Sequence, residues 1–312
     1  MKNEFEKIEH RRGIDLKFMI NNIHYRRAHL HFDTEIIYVI SGVGQVNTQQ
    51  TKYSLHAGQV MVFNSCQVHE FKSESSICLL ILQFPMTTFA ATYPALDTIV
   101  FDSHPFEPPE ESKLVPHLIA AAESYFKDQE SLPLLTVGLT YLILYELLKL
   151  VKYDLLNNSQ RNKLLDLQRR MQRISARIQD DFIDGISLQD LAEQEGFSKT
   201  YFSHFFKNNF GLSFQDYLTN IRCEYGYRLL LTTNENLLDI TNRCGFSDIR
   251  TFNKAFKIRY GSSPKDFRNN RESIRPAKKD KSVDEVRIDA EQIYSRRESL
   301  ALLEKLSKSF NQ

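Results

Sequence analysis

ENLLDITNRCGFSDIRTFNKAFKIRYGSSPKDF, residues Glu235–Phe267, restates in altered form an earlier stretch of the same chain, ISLQDLAEQEGFSKTYFSHFFKNNFGLSFQDY, residues Ile186–Tyr217. Gly196-Phe197-Ser198 aligns with Gly245-Phe246-Ser247 at a shift of 49. After one extra residue the shift is 50, pairing Phe202 with Phe252, Phe206-Lys207 with Phe256-Lys257, Gly211 with Gly261 and Asp216 with Asp266. Agreement at so many positions marks a duplicated supersecondary unit.

Each copy carries its own start and stop signals. Ser187 with Asp190, Ser213 with Asp216, Asn236 with Asp239 and Ser263 with Asp266 are capping pairs, in which a side-chain oxygen takes a free first-turn amide. Pro264 sits at a first helical position, where its missing N–H costs nothing. Gly196 and Gly245 end the first helix of each pair, where the chain turns through positive φ. Phe197 and Phe246 then plug the angle, and Ser198 and Ser247 start the second helix. Short helix, glycine turn and longer helix form the helix-turn-helix plan.

Spacing assigns the faces of the second helices. Phe202, Phe205 or Phe206, and Phe210 recur at three and four residues and turn inward, as do Phe252, Phe256 and Tyr260. Lys199, Thr200, Tyr201, Ser203, His204 and Lys207 are left as the candidate DNA-facing set of the first copy. Arg250, Thr251, Asn253, Lys254 and Lys257 are that of the second. Arg, Lys and Asn match base edges in the major groove, and lysines one turn on match phosphates. The run Phe214–Leu231 joins the copies as one stiff helix, from which Arg222 and Arg228 would reach the DNA backbone. Gly226 in its interior signals tight packing with the first helix. The competing reading is a helical array for protein binding, which two copies would serve poorly.

The pattern from Gly245 to Arg268, G-F-x5-F-x3-F-K-x3-G-x2-P-x2-(F/Y)-R, resembles the second unit of the AraC/XylS regulators, and the likeness extends over residues 174–268. Phe214 where a proline is usual, Thr241 for a small alanine and Gly226 for a helix former are departures. The resemblance implies an N-terminal sensor joined to a DNA-binding domain. Double-stranded promoter DNA, a small-molecule effector, RNA polymerase and a second copy of the chain are the implied partners. An activator role and a carbohydrate effector follow from the family's habits.

Charge divides along the same line. Residues 1–160 hold 13 Lys+Arg against 18 Asp+Glu, and residues 161–275 hold 19 against 14, an asymmetry expected when only one part meets a polyanion. With 42% hydrophobic and 25% charged residues, disorder throughout is excluded. Cys66, Cys78, Cys223 and Cys244 lack metal or disulfide-scaffold spacing and read as buried reduced thiols. The opening MKNEFEKIEH has no apolar core, so no signal peptide is expected. Leu134–Val151 contains Glu146, Lys149 and Gly138 and reads as a buried or dimer-forming helix, not a span. A cytoplasmic location is the expectation.

Short β-rich runs fill residues 14–84: Glu35–Ile40, Val43–Thr48, Lys52–Leu55, Gln59–Phe63 and Ile77–Phe84, punctuated by Gly42, Gly44 and Gly58. Helical runs Leu114–Lys127 and Leu132–Leu156 follow as an antiparallel pair. His29, His31, Glu35 and His69 form a second constellation, because histidines two apart on a strand share a face. Their spacing resembles that of the cupins. Arg26, His29, His31, Glu35, Tyr38 and His69 are the candidate ligand-binding residues, with Arg27 beside them. No cofactor or catalytic residue is expected. The alternative is a metal-binding cupin sensor or a metal-dependent cupin enzyme, with His29, His31, His69 and Glu35 as ligands.

The expected chain is therefore α+β and multidomain. Residues 1–110 are a cupin-like sensor barrel, 111–157 a helical dimerisation pair, 158–165 a linker and 166–271 an all-α domain with two helix-turn-helix units. Residues 272–312 are a tail, disordered or loosely docked, or else touching the sensor or a dimer partner. An amphipathic helix is expected within Val283–Phe310.

Overall fold

The computed structural model describes residues 4–6, 8, 10, 14–48, 51–127, 132–269 and 290–310. The chain divides into two compact units. One comprises residues 6–164 and 289–312, and the other residues 1–5 and 165–288.

The first unit is built on a strongly curved antiparallel sheet. The two-residue strand β1 (Glu4–Phe5) precedes this unit in the chain, and the unit itself uses β2 (Lys17–Leu30), β3 (Thr34–Thr48), β4 (Lys52–His56), β5 (Val60–Phe63) and β6 (His69–Phe84). β6 lies between β2 and β3, and the far edge of β3 pairs with β4 along Val43–Asn47 and with β5 along Glu35–Tyr38. Where two runs were expected, β3 is one strand. It passes Gly42 at φ +87° with a register shift, and a Cβ there would stand 2.5 Å from the Ser76 carbonyl oxygen. Only glycine lets the strand bend that closely over its neighbour.

Both faces of the sheet are buried, with alternate residues serving different cores. Met19, Ile23, Ile37, Val39, Phe63, Phe71, Leu79 and Ile81 fill the inside of the curve. Phe18, Ile20, Ile36, Tyr38, Val60, Leu80 and Leu82 face outward against helices. Chain order continues through α1 (Met86–Ala90), a short 3-10 turn at Pro94–Thr98, β7 (Ile99–Phe101), α2 (Leu114–Lys127), α3 (Leu132–Leu150) and β8 (Tyr153–Leu155), which pairs with β7. Gly138 does not break α3, and the helix stops before the expected Leu156 because Tyr153–Leu155 enters the two-stranded ladder. Pro133–Leu150 has a mean hydropathy of 1.4 over 18 residues, enough by length and composition to cross a membrane. Ile143, Leu144 and Leu147 on that helix are buried in the outer core.

Residues 290–310 are an integral part of this unit and not a loose tail. Strand β9 (Ala290–Ile293) pairs with β2 from Asn21 to Tyr25, and helix α11 (Arg296–Phe310) buries Leu303 in the outer core. Arg296 donates to the carbonyl oxygens of Phe126 at 2.5 Å and Lys127 at 2.9 Å at the end of α2. The expected helix over Val283–Phe310 thus begins late, since Ile293 is taken by the sheet edge. Residues 270–289 lie outside the described residues.

Helix α4 (Asn158–Asp181) spans the division between the units, and the rest of the second unit is helical too: α5 (Leu188–Gln194), α6 (Lys199–Phe210), α7 (Phe214–Thr232), α8 (Leu237–Arg243), α9 (Ile249–Tyr260) and α10 (Pro264–Asn269). The stretch 158–165, expected as a linker, is the first part of α4. Ser187 and Asp190 cap α5 reciprocally, and Ser198, Ser213 and Asn236 each accept the expected first-turn amide. At α9 the cap is Asp248, which accepts from the Thr251 amide at 2.7 Å, so Ser247 is not the starting residue. A carboxylate beside free amides binds them better than a hydroxyl.

Candidate nucleic-acid interface and histidine cluster

The two pairs α5–α6 and α8–α9 repeat one geometry. Gly196 and Gly245 turn at φ +73° and +76°, and α6 and α9 end on Gly211 and Gly261 at φ +76° and +74°. Phe202, Phe206 and Phe210 are buried on one side of α6, and Phe252 and Phe256 on one side of α9. Phe206 and Phe210 stack with centroids 4.2 Å apart, and Phe252 lies 5.2 Å from Phe246. Rings at that spacing fix the rotation of each helix about its own axis.

The rotation leaves Lys199, Thr200, Tyr201, Ser203, His204 and Lys207 exposed on α6, and Arg250, Thr251, Lys254 and Lys257 exposed on α9. Asn253 is half-buried, and the Thr251 hydroxyl donates to Asp248 at 2.9 Å, so it belongs to the cap as well as to the surface. Arg222 does not lie free for a DNA backbone. Its Nε donates to the Phe182 carbonyl at 2.8 Å, and burial of the guanidinium lowers its pKa. It satisfies an end carbonyl beside α4 and abuts Gly245. Arg228 is exposed. Gly226 packs against Phe252 of α9 and against Cys244, the C-cap residue of α8. Cys223 and Cys244 are buried, and burial pushes both thiols up to about 12. Cys78 is also buried, whereas Cys66 is half-exposed.

In the first unit His29, His31, Glu35 and His69 converge at one end of the inner core. The ligand nitrogens of the three histidines lie within 4.8 Å of one another, and all three side chains are buried. Each ring is fixed by its Nδ1, which sits 2.9 Å from the Arg27 carbonyl oxygen for His29, 3.0 Å from that of Asp33 for His31 and 2.9 Å from that of Gln67 for His69. Those contacts require Nδ1–H donors and turn every Nε2 inward. Glu35 enters the same space, with Oε2 3.1 Å from His31 Nε2 and accepting from Gln83 Nε2 at 2.7 Å, and Oε1 3.4 Å from His69 Nε2. The His69 Nε2 is buried without a well-formed hydrogen bond. Phe63 stacks on the His69 ring at 4.3 Å.

Arg26 closes this end. Its Nε donates to His29 Nε2 at 3.1 Å, one Nη binds both Glu291 oxygens at 2.8 and 2.9 Å, and the other binds Glu6. Burial opposes the negative charge on Glu6, yet Arg26 and the histidines hold its carboxyl down at about 2. Burial also opposes charge on His31, and Glu35 outweighs it and raises that pKa. His29 is pushed well below the usual range by burial, with His69 and Arg26 adding to the effect. Glu35 stays ionised against the cost of burial because the neighbouring His69 and His31 hold its pKa well down.

Tyr38 does not join the cluster. Strand alternation points it to the opposite face of β3, 6% exposed among Ile36, Val60 and Leu80, and burial raises its pKa. A separate cavity of about 600 Å³ is lined by Thr48, Tyr53, Asn64, Gln67, Asp102 and Lys152 among others, residues that sequence spacing does not single out. Only tertiary folding of the segment after β7 brings Asp102 and Lys152 beside β4. Three imidazole nitrogens and a carboxylate, with one buried Nε2 unpaired, make a donor set that fits a divalent transition-metal ion.

Residues 18–144 match the model of the AraC-like ligand binding domain, and residues 191–270 match a helix-turn-helix domain model. The chain belongs to the AraC/XylS family. Among its relatives, the HTH-type transcriptional activator RhaS of Enterobacter sp. is 24% identical over 252 residues, covering 78% of this chain and 88% of RhaS. An uncharacterised HTH-type transcriptional regulator of Staphylococcus aureus is 23% identical over 283 residues, 88% of this chain and 35% of that protein. The chain spans about a third of the length of the staphylococcal relatives it matches. The crystal structure of an apo ToxT variant from Vibrio cholerae shares the fold, with a TM-score of 0.52 at 14% identity over 82% of this chain and 98% of that one.

Proposed function

We propose that this AraC/XylS-family chain is a sequence-specific DNA-binding transcription regulator, acting as an activator in the cytoplasm and governed by an effector in its barrel unit. The observation that carries the reading is the matched pair of polar stripes on α6 and α9. Each is set by buried phenylalanines behind it and opened by a capped turn at a positive-φ glycine. Such a helix, exposed along one face and rigid on the other, suits the major groove. Arg250 and Lys254 are the principal readers, with Lys199, Thr200, Tyr201, Ser203, His204, Lys207, Thr251, Asn253 and Lys257 around them.

The cavity beside Lys152 and Asp102 is of the size that small ligands fill. Its hydroxyl, amide and charged lining favours a hydroxyl-rich effector such as a carbohydrate. The apolar stripe Leu134, Leu142 and Tyr145 on α3 is exposed, Leu134 to 81%, and supports pairing with a second copy. RNA polymerase is the partner through which an activator acts. The barrel unit serves as a sensor and performs no catalysis.

Binding to the native promoter by the full chain tests the reading. Replacing Arg250 and Lys254 together by alanine is expected to weaken specific binding by about 10- to 100-fold, since one good base pairing is worth about 1–3 kcal/mol. It should also flatten the salt dependence by about one counterion for each phosphate left without its cation. Ser203→Ala should change little. Undiminished specific binding by the double variant refutes the orientation assigned to α9.

A further inference from the structure

The histidine cluster has a feature that ligand binding in the cavity leaves unexplained. Four polar side chains, all buried, converge on one another across the end of an otherwise apolar core. A cluster retained only for stability is poorly designed, because apolar residues of similar size usually hold a core at least as well. The backbone carbonyls of Arg27, Asp33 and Gln67 all take Nδ1–H, so the three Nε2 atoms are left as the inward ligands. Metal-binding histidines are oriented by outer hydrogen bonds of this kind. Arg26 stands at the mouth as a resident cation, its Nε on His29 Nε2, and it also grips Glu291 of β9.

We infer that His29, His31, His69 and Glu35 bind one divalent transition-metal ion, and that its arrival expels the Arg26 guanidinium and thereby weakens the hold on β9. A dication at the cluster and a guanidinium on His29 repel, and they compete for one nitrogen lone pair. Glu6, 3.6 Å from His29 Nε2, stands within reach of the same site. Ligand nitrogens around one zinc ion stand roughly 3.3 Å apart at Zn–N distances of about 2.1 Å, so small ring rotations close the present 4.8 Å set once Arg26 leaves. Release of Glu291 then carries occupancy to β9 and, through it, to α11. That regulatory consequence rests on the regulator reading above, whereas the binding site stands without it.

The test uses the full-length chain, stripped with a chelator and titrated with Zn²⁺ by calorimetry, with bound metal counted after desalting. One ion per chain is expected. His31→Gln and Glu35→Gln, each checked for native helicity and melting, should weaken binding by about 100-fold and about 10-fold or more. Arg26→Gln should move the other way, strengthening it by about tenfold, a gain that a misfolded variant cannot give. Hydrogen exchange at residues 291–293 should speed up on Zn²⁺ addition, and should already be fast in metal-free Arg26→Gln.

Absence of stoichiometric Zn²⁺ on the wild-type chain overturns the inference. So does binding that survives both His31→Gln and His69→Gln, or binding abolished in Arg26→Gln. Exchange at β9 that ignores Zn²⁺ overturns the coupling to Arg26. Promoter binding measured on the same samples separates the two readings. A chain that binds its promoter through Arg250 and Lys254 but takes no Zn²⁺ refutes the metal site alone. A chain that takes one Zn²⁺ but binds no promoter refutes the regulator reading alone.

Discussion

Gly226→Ala probes the interior of the second helix-turn-helix unit. Alanine in place of glycine in the middle of α7 would by itself stabilise the helix by about 1 kcal/mol. The new methyl, however, meets Phe252 Cε2 at 2.9 Å, Phe252 Cζ at 3.0 Å and Cys244 Sγ at 3.2 Å. Phe252 has little room to retreat, being fully buried with its centroid 5.2 Å from Phe246 and 5.5 Å from Phe256. Overfilling such a core costs about 1–3 kcal/mol, so the net is a destabilisation of about 1 kcal/mol, or about fivefold in the opening equilibrium. Hydrogen exchange of the buried amides of α7 and α9 in the full-length chain reads it. Phe252→Leu removes the ring edge, and on that background Gly226→Ala should become neutral or stabilising, a coupling of about 1–2 kcal/mol. Exchange unchanged or slowed in Gly226→Ala alone would show that α7 and α9 are not packed as described.

Three other outcomes are expected. Leu134→Glu with Leu142→Glu should leave the fold intact while shifting the chain from dimer to monomer in sedimentation; a dimer that persists removes α3 from the interface. Acid should loosen α9 selectively: hydrogen bonds from Thr251 and Ser247 depress the Asp248 pKa, so its stabilisation is present at neutral pH and is lost as pH falls through that lowered value. Asp248→Asn keeps an accepting oxygen and should remove this acid sensitivity in exchange measurements. Deleting residues 290–312 should lower the melting temperature of the barrel unit, because Leu303 leaves the outer core, and should spare the helical unit's exchange protection.

The helical unit was largely legible because its signals are local. Caps, glycines and phenylalanine spacing each act within a few residues, and all point to the same element boundaries. Asp248 was missed because Ser247 matches Ser198 in the alignment, although the carboxylate next door is the stronger acceptor. The histidine cluster was legible in all four positions, His29 and His31 by strand parity and Glu35 and His69 by the spacing that follows them, and parity applied to Glu35 and Tyr38, three residues apart, excludes Tyr38. Arg222 looked like a surface cation because sequence does not reveal that the Phe182 carbonyl faces it. The Arg26 link to Glu291 joins residues 265 apart, and no local pattern announces such a pair. Strand β2 also escaped notice, since its polar residues obscure the alternation.

Because β9 and α11 belong to the barrel unit, the main part of the helical unit, from residue 165 onward, lies in the sequence between two parts of the barrel and is not a C-terminal appendage. It is therefore joined to the barrel at two points of the sequence. Anyone grafting this reader onto another sensor must splice at two junctions. A one-cut chimaera would carry the reader away together with a strand and a helix that the barrel needs.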